Sequence, residues 1–227
     1  MSNTLTLSDI RLDVQDGMNI RTILHIPSFI LPGGTCLGIR GSSGAGKSTF
    51  LKVISGITLP TTGTVRFGNT TVNRLPEGER DRWRGRNIGF LFQDFRLFDG
   101  LSALDNVLLP FTFTRRTISR AVRAEAAARL TSVGVRPETT TENLSRGEMQ
   151  RTALVRVLMQ SPRLILADEP TASLDSDRGE QAVEALIDVS KQLNASLLLV
   201  SHDERILSHF DNIITLKNGR LTGGSSE

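Results

Sequence analysis

With 227 residues, 38% of them hydrophobic, the chain can bury one sizeable α/β core with a subdomain, and is too short for two independent domains. Its 27 basic against 24 acidic residues leave a net charge of +3, too mild to call for nucleic acid, and no such partner is expected. One cysteine, Cys36, excludes an internal disulfide and suits a buried thiol in a reducing cytosol; no apolar run nears the roughly 20 residues that span a bilayer and no signal-peptide core is visible, so a membrane role would run through a partner.

Leu5, Leu7, Ile10, Leu12 and Val14 recur with a period of two and predict a half-buried strand over residues 4–14. Residues 23–30 predict a second, and the Pro32-Gly33-Gly34 turn leads to a short apolar strand over 36–40. Next comes Gly41-Ser42-Ser43-Gly44-Ala45-Gly46-Lys47-Ser48-Thr49, which fits the GxxxxGK[ST] phosphate-loop pattern and is followed from Phe50 by a helix, the strand–loop–helix order such a site requires. Glycines without Cβ let consecutive backbone N–H groups curl around the α- and β-phosphates, and the helix aims its positive end at the same oxygens. Lys47 then reaches the β- and γ-phosphates, and the Ser48 hydroxyl ligates Mg²⁺.

Residues 61–67 and 69–72 flank Gly68 as another hairpin, giving with the first strands an antiparallel β layer beside the main sheet. The dense charges of 79–86 around Trp83 predict a solvated helix face. Residues 87–92 form a strand that delivers Gln93 and Asp94 to its carboxyl end, where open α/β sheets hold ligands. From 95 to 160 the character changes to an inserted α-helical subdomain. Ile118, Val122, Ala126, Leu130 and Val133 keep helical spacing up to Gly134, and Ser145 caps a second helix with Met149, Ala153, Leu154, Val157 and Leu158 on one face. Residues 164–167 suit a strand buried on both faces and end in Asp168 and Glu169, which alternation would send to opposite sides, one toward a metal and one toward a reacting water. A helix over about 178–193, a buried strand at 196–200 ending in Ser201-His202-Asp203, and a hairpin around Asn218-Gly219 complete the pattern.

A phosphate loop with a later strand ending in Asp168 implies a Mg-nucleotide site, a feature common to kinases, GTPases and ATPases. Leu144-Ser145-Arg146-Gly147-Glu148 resembles the LSGGQ signature of ATP-binding cassette (ABC) ATPases, and Gln93, Glu169 after the aspartate, Ser173-Leu174-Asp175 and His202 stand in that family's order. The resemblance covers essentially the whole chain, from the first strand to about Leu221, and implies that residues 1–227 form one ABC ATPase domain. It implies an α/β fold: a RecA-like P-loop NTPase core with an antiparallel β layer and the inserted helical subdomain at approximately 95–160. By that resemblance Gly41 through Thr49 bind ATP, Ser48 and Asp168 hold Mg²⁺, Gln93 senses the metal and the γ-phosphate, Glu169 polarises the attacking water and His202 contacts the γ-phosphate. Ser145, Gly147 and Asp175 would act across a head-to-tail homodimer, on the ATP of the opposite subunit. The position of the signature agrees with this: at a helix start its hydroxyl, N–H groups and dipole make an anion site with nothing nearby in its own chain to bind.

The run Arg84-Gly85-Arg86-Asn87-Ile88-Gly89-Phe90, Asn106-Val107 with Pro110, Glu148, and Ala167-Asp168-Glu169-Pro170-Thr171 are similar to the lipoprotein-releasing (LolD-like), macrolide-export (MacB-like) and cell-division (FtsE-like) group. That implies an ATP-hydrolysing subunit, peripheral on the inner face of the cell membrane, whose dimerisation on ATP moves a separate integral-membrane permease in lipoprotein release or MacB-like export. The alternative is an FtsE-like ATPase that regulates an extracytoplasmic activity without transport. Phe95, Leu97, Phe98 and Leu101 would line the groove for the permease's coupling helix. Three positions depart from the family pattern, one of them Glu148, which stands for the signature Gln and is common in this group. Val14 stands about where an aromatic usually stacks on adenine, leaving Arg11 or Arg21 as substitutes, and Arg146 replaces the first signature glycine.

Overall fold

The structure is a computed structural model that describes residues 3–114, 117–171 and 176–222. Strands β1 (Leu5–Asp16) and β2 (Asn19–Leu31) pair antiparallel from Leu5↔Leu31 to Asp16↔Asn19, longer than the sequence pattern predicts. Leu5, Leu7 and Ile10 of the first and Leu24 and Ile26 of the second are fully buried, as the period of two requires. A register shift between Leu12 and Asp13 marks a bulge, beyond which the hairpin runs out into solvent. Strand β3 (Cys36–Arg40) begins the second sheet and runs through the phosphate loop into helix α1 (Lys47–Ile54). Cys36 is half-buried rather than enclosed, with Sγ 3.2 Å from Ser190 Oγ, because it stands at the entry of its strand.

Strand β4 (Thr62–Phe67) adds to β1 and carries the short β5 (Thr70–Thr71), giving an antiparallel sheet in the order β2-β1-β4-β5. Helix α2 (Glu77–Asn87) is solvated except for Trp83, which meets Phe67 edge-on at 5.9 Å. Then come β6 (Ile88–Leu91), α3 (Ala103–Thr114), α4 (Arg120–Ser132), α5 (Arg146–Met159), β7 (Leu164–Asp168), α6 (Ser176–Gln192), β8 (Ser196–Ser201), α7 (Glu204–Leu207), β9 (Ile213–Lys217) and β10 (Arg220–Thr222).

The second sheet runs β10-β9-β3-β8-β7-β6, parallel except for its β10 edge. Every residue of β7 and β8 is buried, which is why both read as continuous apolar runs. Helix α1 is packed between the two sheets, with Phe50 and Leu51 fully buried among Leu5, Ile26, Leu166 and Leu198. On the opposite face Val183 and Leu186 of α6 and Ala153 and Val157 of α5 cover Ile165, Leu197 and Leu199.

Helices α3, α4 and α5, between β6 and β7 in the chain, share a separate core of Leu104, Val107, Leu108, Leu130 and Val155. The starts of α4 and α5 follow their caps: Ser119 Oγ accepts from Val122 N, and Ser145 with Glu148 closes a reciprocal capping box. Helix α3 has no such clear sequence signal, since Pro110 stands inside it. It is fixed instead by Asn106, fully buried, whose Nδ2 donates to Phe98 O (3.2 Å) and Thr141 Oγ1 (3.0 Å) while its Oδ1 accepts from Phe98 N (2.8 Å).

Gly89 lets α5 lie directly on β6. A Cβ there would come 2.5 Å from Val157 Cγ1 and 2.9 Å from Pro162 Cγ. Gly89→Ala is therefore expected to lose about 1–3 kcal/mol in urea-induced unfolding by forcing the helix off the strand; a variant as stable as the parent would show that this contact carries no constraint.

Candidate functional site

The parallel sheet brings the carboxyl ends of β3, β6, β7 and β8 to one edge, and the candidate residues follow those ends. The phosphate loop leaves β3, Gln93 follows β6, Asp168 and Glu169 end β7, and His202 follows β8. Gly44 and Gly46 have φ of 77° and 99°, left-handed values that favour glycine, and Gly46 opens α1 with no side-chain cap. The first N–H groups of that helix are therefore available to an anion.

Lys47 is only 7% exposed, and its ammonium is fully engaged. Nζ donates to Gly41 O at 2.7 Å and Ser42 O at 3.2 Å and pairs with Glu169 Oε1 at 3.1 Å. The other carboxylate oxygen, Glu169 Oε2, accepts from His202 Nδ1 at 3.0 Å and from Ser201 Oγ at 3.4 Å. Ser48 Oγ donates to Asp168 Oδ1 at 3.0 Å. Burial pushes the Asp168 carboxyl above its usual value, with the Glu169 charge adding to the effect and the Ser48 hydrogen bond opposing it.

Alternation along β7 would send the two carboxylates to opposite sides, and this expectation is corrected by the structure. Glu169 has a φ of 46°, which ends the extended conformation at that residue and turns its side chain onto Lys47, next to the Ser48 that Asp168 holds. Both acids thus converge on successive residues of one loop.

A cleft of about 400 Å³ joins these groups, within the range of small-molecule sites. Its walls include Ser42, Ser43, Gly44, Gly46, Lys47, Ser48 and Thr49 of the loop, with Gln93, Glu169 and His202. Gly41 and Ala45 are buried behind the loop, and Asp168 stands behind Ser48. At the far end lie Arg21 and Ile23 of β2. Val14 pairs with Arg21 across the hairpin but is outside the lining, and Arg11 is tied to Asp13 (2.9 Å) and Thr22 (3.1 Å), so of the three stacking candidates only Arg21 reaches the cleft. Sequence reading missed Ile23, the β2 residue that the register skips between Leu12↔Leu24 and Asp13↔Thr22.

The signature residues stand apart from this cleft. Ser145 Oγ donates to Glu148 Oε2 at 2.6 Å and its backbone N–H to the same oxygen at 2.9 Å, and these bonds hold the Glu148 carboxyl below its usual value. Gly147 follows in the first turn of α5, and the Arg146 guanidinium turns back over the Phe95 ring of its own chain at 6.0 Å from the centroid. Ser173, Leu174 and Asp175 lie outside the described residues. Of the apolar groove candidates, Phe95 is only 3% exposed and belongs to the core under α5, because its left-handed backbone turns it inward. Leu97 is packed against the same core, whereas Phe98 is 57% exposed and Phe113, which the sequence did not single out, is 80% exposed.

Ser48 and Asp168 offer a hydroxyl and a carboxylate side by side, hard oxygen ligands that fit a divalent cation such as Mg²⁺ when phosphate oxygens and water complete its shell. Among the described residues no helix is long and apolar enough to cross a membrane.

The sequence model of the ABC transporter family matches residues 24–172. An uncharacterized ABC transporter ATP-binding protein of Mycobacterium tuberculosis is 36% identical over 217 residues, 95% of this chain and 87% of its own. The lipoprotein-releasing system ATP-binding protein LolD of Legionella pneumophila is 32% identical over 219 residues, 96% of each chain. Among solved structures, the dimeric cassette MJ0796 superposes with a TM-score of 0.89 at 32% identity over 96% of this chain and 97% of its own. A dimeric post-hydrolysis state of the same cassette, bound to ADP and Pi, superposes with a TM-score of 0.90 over 98% of each chain.

Because the folded protein holds the Asp168 proton more tightly than the unfolded chain does, the stability this gives is complete below the ordinary carboxylate pKa of about 4 and is lost as pH rises through the higher folded value. Asp168→Asn is expected to raise the thermal midpoint of the nucleotide-free protein at neutral pH, with the gain shrinking as pH falls toward that range. A midpoint lowered equally at all pH values would contradict this account of the Asp168 site.

Proposed function

The chain belongs to the ABC transporter family as an ATP-hydrolysing subunit, and from that premise we propose that two copies close head to tail on two ATP molecules and so drive a membrane permease. One observation carries this reading. The cleft gathers the loop, Gln93, Glu169 and His202, while Ser145 and Gly147 present an exposed helix start outside it. Each surface is half of an anion site, and a twofold arrangement of two chains completes both.

In this reading the loop N–H groups of residues 42–48 bind the phosphates. The Lys47 ammonium exchanges the carbonyls of Gly41 and Ser42 for β- and γ-phosphate oxygens. Ser48 and Asp168 would hold Mg²⁺, with Gln93, just beyond β6, in the lining of the same cleft. The bound cation supplies neutralisation of charge on the phosphate oxygens. Glu169 is paired with Lys47 and His202. Once phosphate takes Lys47, Glu169 is freed to orient water and accept its proton, and His202 is left beside the γ-phosphate. Ser145, Gly147 and Asp175 act on the partner's nucleotide. Arg21 lines the same cleft and would offer a guanidinium plane for the base to stack on.

The helices between β6 and β7, within approximately 95–160, carry the signature and the exposed Phe98 and Phe113, which suit the seat of a permease helix on the inner face of the cell membrane. LolD relatives belong to a lipoprotein-releasing system, and we place this chain in a release or export system of that kind. The whole of residues 1–227 acts as one such cassette.

Glu169→Gln removes the proton acceptor and keeps the shape. We expect it to bind ATP, to lose roughly 10²- to 10⁴-fold in turnover, and to accumulate as an ATP-dependent dimer in analytical ultracentrifugation. Isolated with ATP from native membranes, this variant should bring down an integral-membrane permease. Normal hydrolysis by Glu169→Gln, or a trapped dimer that recovers only soluble partners, would overturn the respective parts of this reading.

A further inference from the structure

Beyond β6 the chain makes a tight turn in which Phe95 N donates to Phe92 O at 3.0 Å and Arg96 N to Asp94 O at 2.6 Å. Phe95 and Arg96 have φ of 58° and 47°. Two successive side-chain-bearing residues in the left-handed region are unfavourable unless something outside the turn fixes them.

That something is α5. Arg156 Nη1 donates to Arg96 O at 2.6 Å, and Nη2 donates to Phe95 O. From the other end of the helix, Arg146 lies over the Phe95 ring at 6.0 Å from its centroid. Arg156 is only 8% exposed, and no carboxylate among the described residues pairs with it. Burial draws its pKa down to about 10, so it remains a cation at neutral pH. A buried cation whose guanidinium donates, among the described residues, to two carbonyls of one turn is an expensive way to fill space, since an apolar side chain would pack there without desolvating a charge. Its chemistry is suited to gripping the turn. Gln93, two residues before Phe95, lines the cleft with Lys47, Ser48 and Glu169.

We propose that Arg156 is a positioning residue for Gln93: by holding the carbonyls of Phe95 and Arg96 from α5 it fixes the turn that sets Gln93 in the cleft, with Arg146 as a second hold on Phe95. The inference rests on the placement of Gln93 beside Mg²⁺ and the γ-phosphate given above. It also joins two sites in one chain, because the helix that presents Ser145 to a partner's nucleotide is the helix that grips the residue facing its own.

The test uses two readouts on the full chain: amide hydrogen exchange of residues 93–97 without nucleotide, and ATP hydrolysis against Mg²⁺ concentration. Arg156→Met is expected to speed exchange at Phe95 and Arg96 roughly tenfold or more. It should also raise the Mg²⁺ half-saturation roughly three- to tenfold, in the same direction as Gln93→Ala. Arg156→Lys keeps the charge and donors and should fall between it and the parent. Arg146→Ala changes an exposed residue and should speed exchange at Phe95 to a smaller extent, which decides the matter even where Arg156→Met fails to fold. Parental exchange and Mg²⁺ dependence in these variants, with Gln93→Ala shifted, would overturn the proposal alone, whatever their melting temperatures. An unshifted Gln93→Ala would overturn the reading of Gln93 and the proposal with it.

Discussion

The Lys47 ammonium is the group around which the site is built. A cation this deeply buried has to be satisfied, and the fold supplies two loop carbonyls and the Glu169 carboxylate to do so. Each partner constrains a different part of the molecule. The carbonyls of Gly41 and Ser42 fix the curl of the loop, which fixes the start of α1. Glu169 must come from the end of β7, and it brings His202 and Ser201 from the end of β8. The requirement that these ends meet is met by the strand order, in which β8 lies between β3 and β7 and all three run parallel. The ammonium that neutralises Glu169 is also, in the proposed mechanism, the one phosphate would take over, so one charge would couple binding of substrate to release of the proposed general base.

A second coupling lies in α5. Its first turn holds Ser145 against Glu148, and its last turns hold the Phe95–Arg96 backbone. The Ser145 hydroxyl therefore already has a partner in its own helix, and in the proposed dimer contact with a second chain's nucleotide would exchange one hydrogen bond for another instead of satisfying a lone donor. The preference for a closed dimer then has to come from the nucleotide itself, which binds the closed form better than the open one.

How much of this was legible depends on how local each signal is. The phosphate loop, β3, the buried β7 and β8, the helical spacing of α4 and the capped start of α5 are specified by residues adjacent in sequence, and they appear where those residues predict. Helix α3 was hidden because Pro110 disrupts its pattern and the buried Asn106 that anchors it looks like any surface amide. The convergence of Asp168 and Glu169 depended on one left-handed φ, which a non-glycine residue does not announce. Ile23 lines the cleft at the position the β1–β2 register skips, and Arg156 finds its carbonyls some 60 residues away in the chain. These are tertiary facts, and the residue types alone carry no trace of them.

The central claim is that each nucleotide site is shared between two chains. It is tested most directly by mixing two single-cysteine chains, both carrying Cys36→Ser and Glu169→Gln, one with Ser43→Cys in the phosphate loop and the other with Arg146→Cys in the signature, and treating them with a short bismaleimide. The account predicts a covalent heterodimer that forms with ATP and not without it. Chains that bind ATP yet give no ATP-dependent cross-link would show that the loop and the signature do not meet across an interface, and would contradict it.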